Sequence, residues 1–290
     1  MTKLDRFTAS RPRLLGLAYR MLGEAAEAED VVQDAYLRWE KSGEVAVPDA
    51  WLTKVVTNLC LNRLTSARAR RECYVGTWLP EPVPTGDGAL GPLETVEQRE
   101  SLSFGMLLLL ERLTPPERAA FVLREAFGHG HREIAEILDV DEAHARQLYH
   151  RARAHVGEPR KRFTTTPEET TRILERFLAA AARGDVAALE RMLAEDAVSW
   201  ADGGGKAPAA PHPIAGRLRV LRFVLGVARR LIKERAEASI AMVNGGPALL
   251  SWHQGTLIAL TVPEFADGRV TALRTITNPD KLAYVAARTR

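Results

Sequence analysis

Two cysteines in 290 residues, Cys60 and Cys73, are too few for a disulfide framework, and that usage suits a reducing compartment. Long apolar runs are also missing. The densest stretch, Phe104–Leu110, falls far short of the roughly 18 or more residues that a bilayer span needs, so no membrane association is expected. The opening residues MTKLDRFTAS contain no apolar core of a secretory signal, and a cytoplasmic location is expected. Charge of one sign is not in excess: 40 Lys and Arg stand against 37 Asp and Glu. This excludes an evenly basic coat, so any nucleic-acid footprint must be local. No repeat of fixed period is present. His129 and His131, with the two cysteines, lack metal-ligand spacing, and neither a metal nor a cofactor is expected. The 46% apolar and 27% charged composition excludes wholesale disorder.

The charges that are present are unevenly placed. Residues 1–72 carry a net +2, residues 73–95 a net −3 with no base at all, residues 96–162 balance, and residues 163–290 carry +4. The acidic stretch 73–95 also holds four prolines and four glycines, which mark a linker or an ordered loop. A second break runs from Gly157 to Pro167. The expected division is therefore 1–72, a linker 73–95, 96–157 and 167–290.

The first and third segments read as helical. Leu14, Leu15, Ala18, Tyr19 and Leu22 follow helical spacing and end at Gly23. Val32, Ala35, Tyr36 and Trp39 fall at i, i+3, i+4, i+7, and a third helix follows Pro48-Asp49 with Trp51, Leu52, Val55, Val56 and Leu59 as its stripe. Helices are expected over 101–113, 116–127, 131–138 and 141–156. The last segment changes character: helices over 167–182, 186–193 and 218–236 precede short β-branched runs at 239–243, 248–252, 256–262 and 270–277, bounded by Gly, Pro and Asp-Gly turns. Helices followed by strands read as an α+β domain.

Three stretches carry chemistry. Asp30, Gln33, Asp34 and Leu37 form a polar stripe with one leucine, which reads either as a docking surface for a basic, partly apolar partner or as a solvated helix face. In residues 131–156, a short helix, a turn at Asp139-Val140-Asp141 and a longer helix follow each other, with Asp141 as N-cap. The longer helix buries Ala145, Leu148, Tyr149, Ala152 and Val156 and presents Arg146, Gln147, His150, Arg151 and Arg153. Arg and Gln read base edges bidentately and neighbouring arginines suit phosphates, so this is a helix-turn-helix signal; an Arg-rich helical hairpin is the plainer reading. At the end of the third helix, Asn58, Asn62 and Arg63, then Arg68, Arg70 and Arg71, suit single-stranded bases and phosphates, or simply complement the helix dipole.

Taken in order, these stretches carry a resemblance. Asp30-x-x-Gln33-Asp34-x-x-Leu37-Arg38, then Pro48-x-x-Trp51-Leu52-x-x-Val55-x-x-Asn58, a linker, Pro115-Pro116-Glu117-Arg118 and a helix-turn-helix ending His150-Arg151-Ala152-Arg153 resemble an extracytoplasmic-function sigma factor of bacterial RNA polymerase over residues 1–157. Trp78-Leu79-Pro80-Glu81-Pro82, Asp202-Gly203-Gly204-Gly205-Lys206 and Asn278-Pro279-Asp280-Lys281-Leu282 resemble the signatures of the subgroup with a C-terminal SnoaL-like domain of the nuclear-transport-factor-2-like fold. Asp139, Ala145 and Asn62 depart from the usual pattern.

The resemblance implies two all-α sigma domains, region 2 and region 4, followed by an α+β SnoaL-like cone-shaped domain. It implies a protein that directs transcription initiation and is not itself an enzyme. Asp30, Gln33, Asp34 and Leu37 would meet the β′ coiled coil of core RNA polymerase, with the β flap as a second contact. The loop 42–47 with Trp51, Asn58, Asn62 and Arg63 would capture promoter bases of the −10 element. Arg146, Gln147, His150, Arg151 and Arg153 would contact the −35 duplex, and the acidic linker would thread the polymerase channel. Trp78, Pro80, Asp202, Lys206, Asn278, Asp280 and Lys281 would form an intramolecular regulatory contact.

Residues 202–206 lack the earlier glycine and the following Ser or Thr of a phosphate loop and read as a glycine-permitted loop with a charged tip. Asn278-Pro279 cannot continue a strand and is expected to expose Asp280 and Lys281. Asp202, His212, His253 and Glu264, with Trp200, Trp252 and Phe265 as walls, leave open an alternative: a SnoaL-type enzyme, or a sensor with a small-molecule ligand in its pocket, fused to a DNA-binding module. The long helix after residue 217 carries Arg217, Arg219, Arg222, Arg229, Arg230, Lys233 and Arg235, read as a solvated face or as a contact with polymerase or DNA.

Overall fold

The computed structural model describes residues 2–85, 90, 101–157 and 166–289. It divides into two compact units, residues 1–73 with 87–159, and residues 74–86 with 160–290. No described helix is long and apolar enough to cross a membrane.

The first unit is helical. Helix α1 (Lys3–Leu22) opens on a capping box: the Thr2 hydroxyl accepts the Asp5 N–H at 3.0 Å, and the Asp5 carboxylate accepts the Thr2 N–H at 2.8 Å. The backbone N–H of Thr2 and then its hydroxyl hold the Asp5 carboxyl below its ordinary range. Gly23 ends the helix at φ 72°, and α2 (Ala25–Lys41) and α3 (Pro48–Glu72) follow. Leu14, Leu15, Ala18 and Tyr19 of α1, Val32, Ala35 and Trp39 of α2, and Leu52, Val56 and Leu59 of α3 meet in one core.

Helices α4 (Phe104–Leu110), α5 (Pro115–Glu125), α6 (His131–Leu138) and α7 (Glu142–Val156) pack in the same unit, with α5 against α1 and α3, and α6 against α3. The two segments separated by sequence thus share one packed body. A buried arginine joins them: Arg118 of α5 donates to the Arg20 carbonyl of α1 at 3.3 Å and pairs with Glu111. Between α6 and α7 the chain turns at Asp139, whose φ of 58° is left-handed. Asp tolerates that conformation, so the departure from glycine there is accommodated.

The second unit is α+β. Helices α8 (Pro167–Arg183) and α9 (Val186–Met192) lead into β1 (Leu193–Asp202), a short β2 (Ile214–Ala215) and helix α10 (Arg217–Lys233). Strands β3 (Glu237–Val243), β4 (Gly246–His253), β5 (Thr256–Ala266) and β6 (Arg269–Ile276) and helix α11 (Pro279–Ala286) complete it. The sheet order is β2-β1-β6-β5-β4-β3, parallel only between β1 and β6. Phe177, Leu189, Val220, Leu221, Leu225, Phe265, Val270 and Leu273 pack α8–α10 on one sheet face.

Three features of this unit depart from the expectation. Strand β1 carries Glu195 and Asp196, poor strand formers, and its pairing with β6 skips them through a register shift between Leu193 and Val198. Strand β5 runs past Val262 through Pro263 because β4 pairs with it only as far as Thr261, leaving the missing N–H of proline on an open side. Residues after Asn278 form α11 rather than an exposed turn, since Pro279 sits at the start of a helix, where a missing N–H costs nothing.

Residues 74–85, expected within a linker or an ordered loop, are docked on this sheet. Pro84 bridges Val243 at the edge strand β3, the Thr85 N–H donates to the Met242 carbonyl at 3.0 Å, and the Asn244 N–H to the Val83 carbonyl at 2.9 Å. Val83 returns its own N–H to Asn244 Oδ1 at 3.0 Å. Leu79, Pro80, Glu81, Pro82, Val83 and Pro84 are all buried. Residues 86–89 and 91–95 of the expected linker, and 158–165 of the second break, lie outside the described residues.

The start of α7 rests on Asp141, whose carboxylate accepts the His144 N–H at 2.8 Å. Asp141→Ala should lower the unfolding free energy of the chain by about 1 kcal/mol in urea titration, and Asp141→Asn should restore most of it.

Candidate nucleic-acid and polymerase interface

The spacing of Asp30, Gln33, Asp34 and Leu37 puts them on the outer side of α2. Asp30, Gln33 and Leu37 are exposed, Leu37 at 47%, while Asp34 is half-buried. Arg63 of α3 explains the difference. Its guanidinium lies 2.7 Å from Glu27, 3.1 Å from Asp34 and 3.7 Å from Asp30. Burial draws its pKa down, but the Glu27 and Asp34 carboxylates outweigh this and raise it. Arg63 was expected on the −10 surface, and the structure sets it in the acidic stripe instead. At about 100° per residue, Trp51, Asn58 and Asn62 fall within some 40° of one line along α3, whereas Arg63 is turned about 100° from Asn62. The side chains of Arg68, Arg70 and Arg71 lie outside the described residues.

On that line Trp51 and Asn58 are half-buried and Asn62 is exposed. The Trp51 ring leans on Trp39 with centroids 5.6 Å apart. Beside them a cavity of about 550 Å³ is lined by Lys3, Arg6, Trp39, Gly43, Glu44, Val45 and Ala46. The loop from residue 42 is pinned to it: the Lys3 ammonium donates to the Trp39 carbonyl at 3.2 Å and the Ser42 carbonyl at 2.5 Å, and the Trp39 indole N–H donates to the Lys3 carbonyl at 3.1 Å. Lys3 and Arg6 were missed in sequence. Their only signal is the i, i+3 pair of bases in the first turn of α1.

Helix α7 presents Arg146, Gln147, His150, Arg151 and Arg153 to solvent and buries Ala145, Leu148, Ala152 and Val156. Tyr149, expected in the core, is half-buried, because its hydroxyl reaches out to Glu125 while its ring stacks on Phe121 at 6.5 Å. Arg146 pairs with Glu142 at 2.7 Å, one turn back. Arg151 leans to the other side, 3.4 Å from the buried Glu117. Burial pushes the Glu117 carboxyl up, but the Thr114 hydroxyl and N–H, with His155 and Arg151, hold it below its ordinary range. Arg146, Gln147, His150 and Arg153 are thus the free side of the helix, and Arg151 borders it.

Helix α6 and the turn before it are tied to the first three helices. Arg13 Nη2 stands 3.2 Å from His129 Nε2, and the Lys54 ammonium donates to the Glu136 carbonyl at 2.8 Å. Burial, then the Arg13 charge, draws the His129 pKa down against the opposing pull of Glu133. A guanidinium can only donate, so the His129 nitrogen facing Arg13 accepts.

In the second unit the three remaining motifs converge. Asp202 has no exposure, and its carboxylate accepts from the Tyr74 hydroxyl at 2.6 Å, the Leu79 N–H at 2.9 Å and the Lys281 ammonium at 2.7 Å. Lys281 also donates to the Leu79 carbonyl, and its ammonium sits 4.8 Å from the Tyr74 ring centre and 4.6 Å from that of Trp78. Asn278 donates from Nδ2 to the Tyr74 hydroxyl at 2.9 Å and caps α11 through Asp280 N. Lys281 was expected to be exposed. It is buried because the first turn of α11 points it inward at Asp202; Asp280 alone faces out, paired with Lys206. Pro80 is buried in the same docked segment. Tyr74 was missed in sequence, lying just outside the Trp78–Pro82 motif.

Asp202 is engaged as above, His212 is exposed, and Glu264 pairs with Arg274, whose guanidinium lies 4.9 Å from the Trp200 ring centre. Phe265 packs in the core beneath the helices with Leu273, while Arg274, the next residue along β6, faces the other side of the sheet.

A helical bundle with an acidic outer stripe, packed with a helix-turn-helix whose second helix bares Arg and Gln, defines a DNA-binding component of the transcription machinery. Residues 7–70 match the family described as Sigma-70 region 2, and residues 104–156 match Sigma-70, region 4. The chain is 40% identical over 289 residues to the ECF RNA polymerase sigma factor SigJ of Mycobacterium tuberculosis, covering 96% of this chain and 93% of that protein. It is 29% identical to the probable ECF RNA polymerase sigma factor SigI of the same species, over 94% of this chain and 92% of that one. The crystal structure of SigJ superimposes with a TM-score of 0.78 at 38% identity, covering 97% of this chain and 98% of that one. The chain belongs to the ECF RNA polymerase sigma factors and acts in transcription initiation, with a C-terminal α+β domain following the two sigma regions.

Removing Lys281 would leave the Asp202 carboxylate buried without its cation. Lys281→Ala should therefore destabilise the second unit by about 3–5 kcal/mol, read as a lowered thermal midpoint. An unchanged midpoint would mean that Asp202 is hydrated.

Proposed function

We propose that this sigma factor docks on the β′ coiled coil of core RNA polymerase through Asp30, Gln33, Asp34 and Leu37, with the segment 96–157 meeting the β flap. Leu37 supplies the apolar anchor, and Arg63 orients the Asp34 and Asp30 carboxylates from behind. The −10 bases are held along Trp51, Asn58 and Asn62 beside the cavity rimmed by Lys3 and Arg6, where unstacked bases gain stacking and charge contacts. The −35 duplex is read by Arg146, Gln147 and His150, with Arg153 and Arg151 on phosphates. The observation that carries this reading is the paired exposure of Leu37 within an acidic stripe and of the Arg and Gln side chains on α7.

Run-off transcription with core polymerase tests it. Leu37→Ala should cost about 2 kcal/mol or more in core affinity with the fold intact. Arg146→Ala should cost about 1–3 kcal/mol on the promoter and relax preference at one or two positions, while Arg153→Ala should weaken all sequences alike and lower the salt slope. Equal behaviour of the two arginine variants would mean that α7 faces DNA differently.

The convergence of Asp202, Lys206, Asn278, Asp280 and Lys281 with Trp78 and Pro80 supports regulation within the chain. Docking residues 74–85 on the sheet takes twelve residues out of the tether joining the first three helices to the helix-turn-helix. Once released, they can span at most roughly 40 Å in any direction. The contact of α6 with α3 through Lys54 and of His129 with Arg13 holds the same two regions together. Both must yield for the regions to span two promoter elements. Tyr74→Phe combined with Trp78→Ala should change the amount of transcript from a promoter without changing which promoter is used, and should enlarge the radius of gyration in small-angle scattering. Unchanged transcript and scattering would remove the C-terminal domain from regulation in cis.

A further inference from the structure

Helix α10 has a solvent face that none of the roles above uses. Seven of the bases after residue 216 lie between Arg217 and Arg235, against a single acid, Glu234. On the helix, Arg219, Arg222, Arg229, Arg230 and Lys233 are exposed on one side, opposite the buried Val220, Leu221 and Leu225. Arg230 meets Glu234 at 3.6 Å, but Arg219, Arg222, Arg229 and Lys233 have no acidic partner among the described residues. From Arg219 to Lys233 the row is about 21 Å long at 1.5 Å per residue.

A second observation falls in the middle of that row. Gly226 is exposed inside the helix, and a Cβ built there meets nothing within 4 Å. Glycine in a helix interior costs roughly 1 kcal/mol against alanine, and no neighbour within the unit requires it. Arg222 precedes it by four residues, and Arg229 and Arg230 follow by three and four, so three guanidiniums flank a notch in which helix backbone is bare. The exposed apolar residues of this helix, Leu218, Val227 and Ile232, lie at the edges of the row and not in it.

We propose that this face of α10 is a sequence-independent docking surface for duplex DNA, with one phosphate strand crossing the helix at Gly226 between Arg222 and Arg229/Arg230. Arginine, which makes up four of the five bases, binds phosphate through a planar fork of donors. A purely basic centre with no apolar anchor fits a polyanion better than a protein surface. Because the same chain holds promoter DNA, a weak contact here acts at high local concentration. The inference does not rest on the assignments made for α2, α3 and α7.

The test uses the full chain and a fluorescent duplex lacking any promoter, with anisotropy followed from low to moderate salt. The double variant Arg222→Gln, Arg229→Gln should weaken binding on the order of ten-fold at 0.1 M salt and lower the slope of log affinity against log salt by about two. Gly226→Gln should weaken binding several-fold with little change in slope, while raising the thermal midpoint slightly, which separates a filled notch from a damaged fold. Parental affinity and slope in both variants would overturn the proposal. So would unchanged DNA binding combined with reduced affinity for core polymerase, which would make the face a protein dock.

Discussion

A carboxylate with no solvent exposure must be fully bonded or it will not stay buried, and the second unit is organised around meeting that demand at Asp202. Its oxygens take a phenol, a backbone N–H and an ammonium, and its own carbonyl takes the N–H groups of Thr277 and Asn278 at 2.8 and 3.0 Å. Asp202 and these partners come from three places far apart in sequence: the end of β1, the stretch from Tyr74 to Leu79, and the turn into α11. None of the three can reach this bonding alone. The Asp202–Lys281 pair therefore contributes less to raw stability than to uniqueness: only one arrangement of segment, strand and helix satisfies every group.

The glycines beside Asp202 belong to the same constraint. A Cβ on Gly203 would come within 2.2 Å of the Ala207 carbonyl, and one on Gly204, at φ 58°, within 2.3 Å of the Asn278 amide. The three consecutive glycines, read in the sequence as a glycine-permitted loop with a charged tip, let the Ala207 carbonyl, the Asn278 amide and Val75 come close to the backbone. In the first unit Arg63 has the corresponding role. One guanidinium on α3 serves three carboxylates on α2, so the acidic stripe is held in a fixed pattern before any partner arrives.

Much of the first unit was legible because helices declare themselves by period. The stripes of α1, α2, α3 and α7 need only apolar residues three and four apart, and the turn before α7 is marked by Asp141 as cap. What was not legible depended on which helix faces which. Arg63 and Asn62 are neighbours in sequence, yet one faces α2 and the other solvent, and only the packing of α2 on α3 decides it. The same holds for Lys281, whose burial follows from a helix start that Pro279 signals equally well as a strand end. Tyr74 carried no signal, since a single tyrosine before a proline-rich stretch has no period, and its partner lies 128 residues away.

The composition of the docked segment bears on whether its attachment is reversible. Pro80, Pro82 and Pro84 alternate with Leu79, Glu81 and Val83, an extended spacing in which every second residue lacks an N–H. Among the intervening residues, Leu79 and Val83 place their N–H groups on Asp202 and on the Asn244 side chain. The prolines also restrict the free segment, so less conformational freedom is lost when it docks. On release, few donors are left to be rehydrated and the backbone stays close to its bound form. The opposing cost falls on Asp202 and Lys281, which lose the Leu79 backbone and the rings of Tyr74 and Trp78 but keep each other and gain water. Release would also expose Leu79 and Val83, which are buried, so the attachment joins apolar burial to specific polar bonds, and under the regulation proposed above that cost is met when the two sigma regions move apart at a promoter.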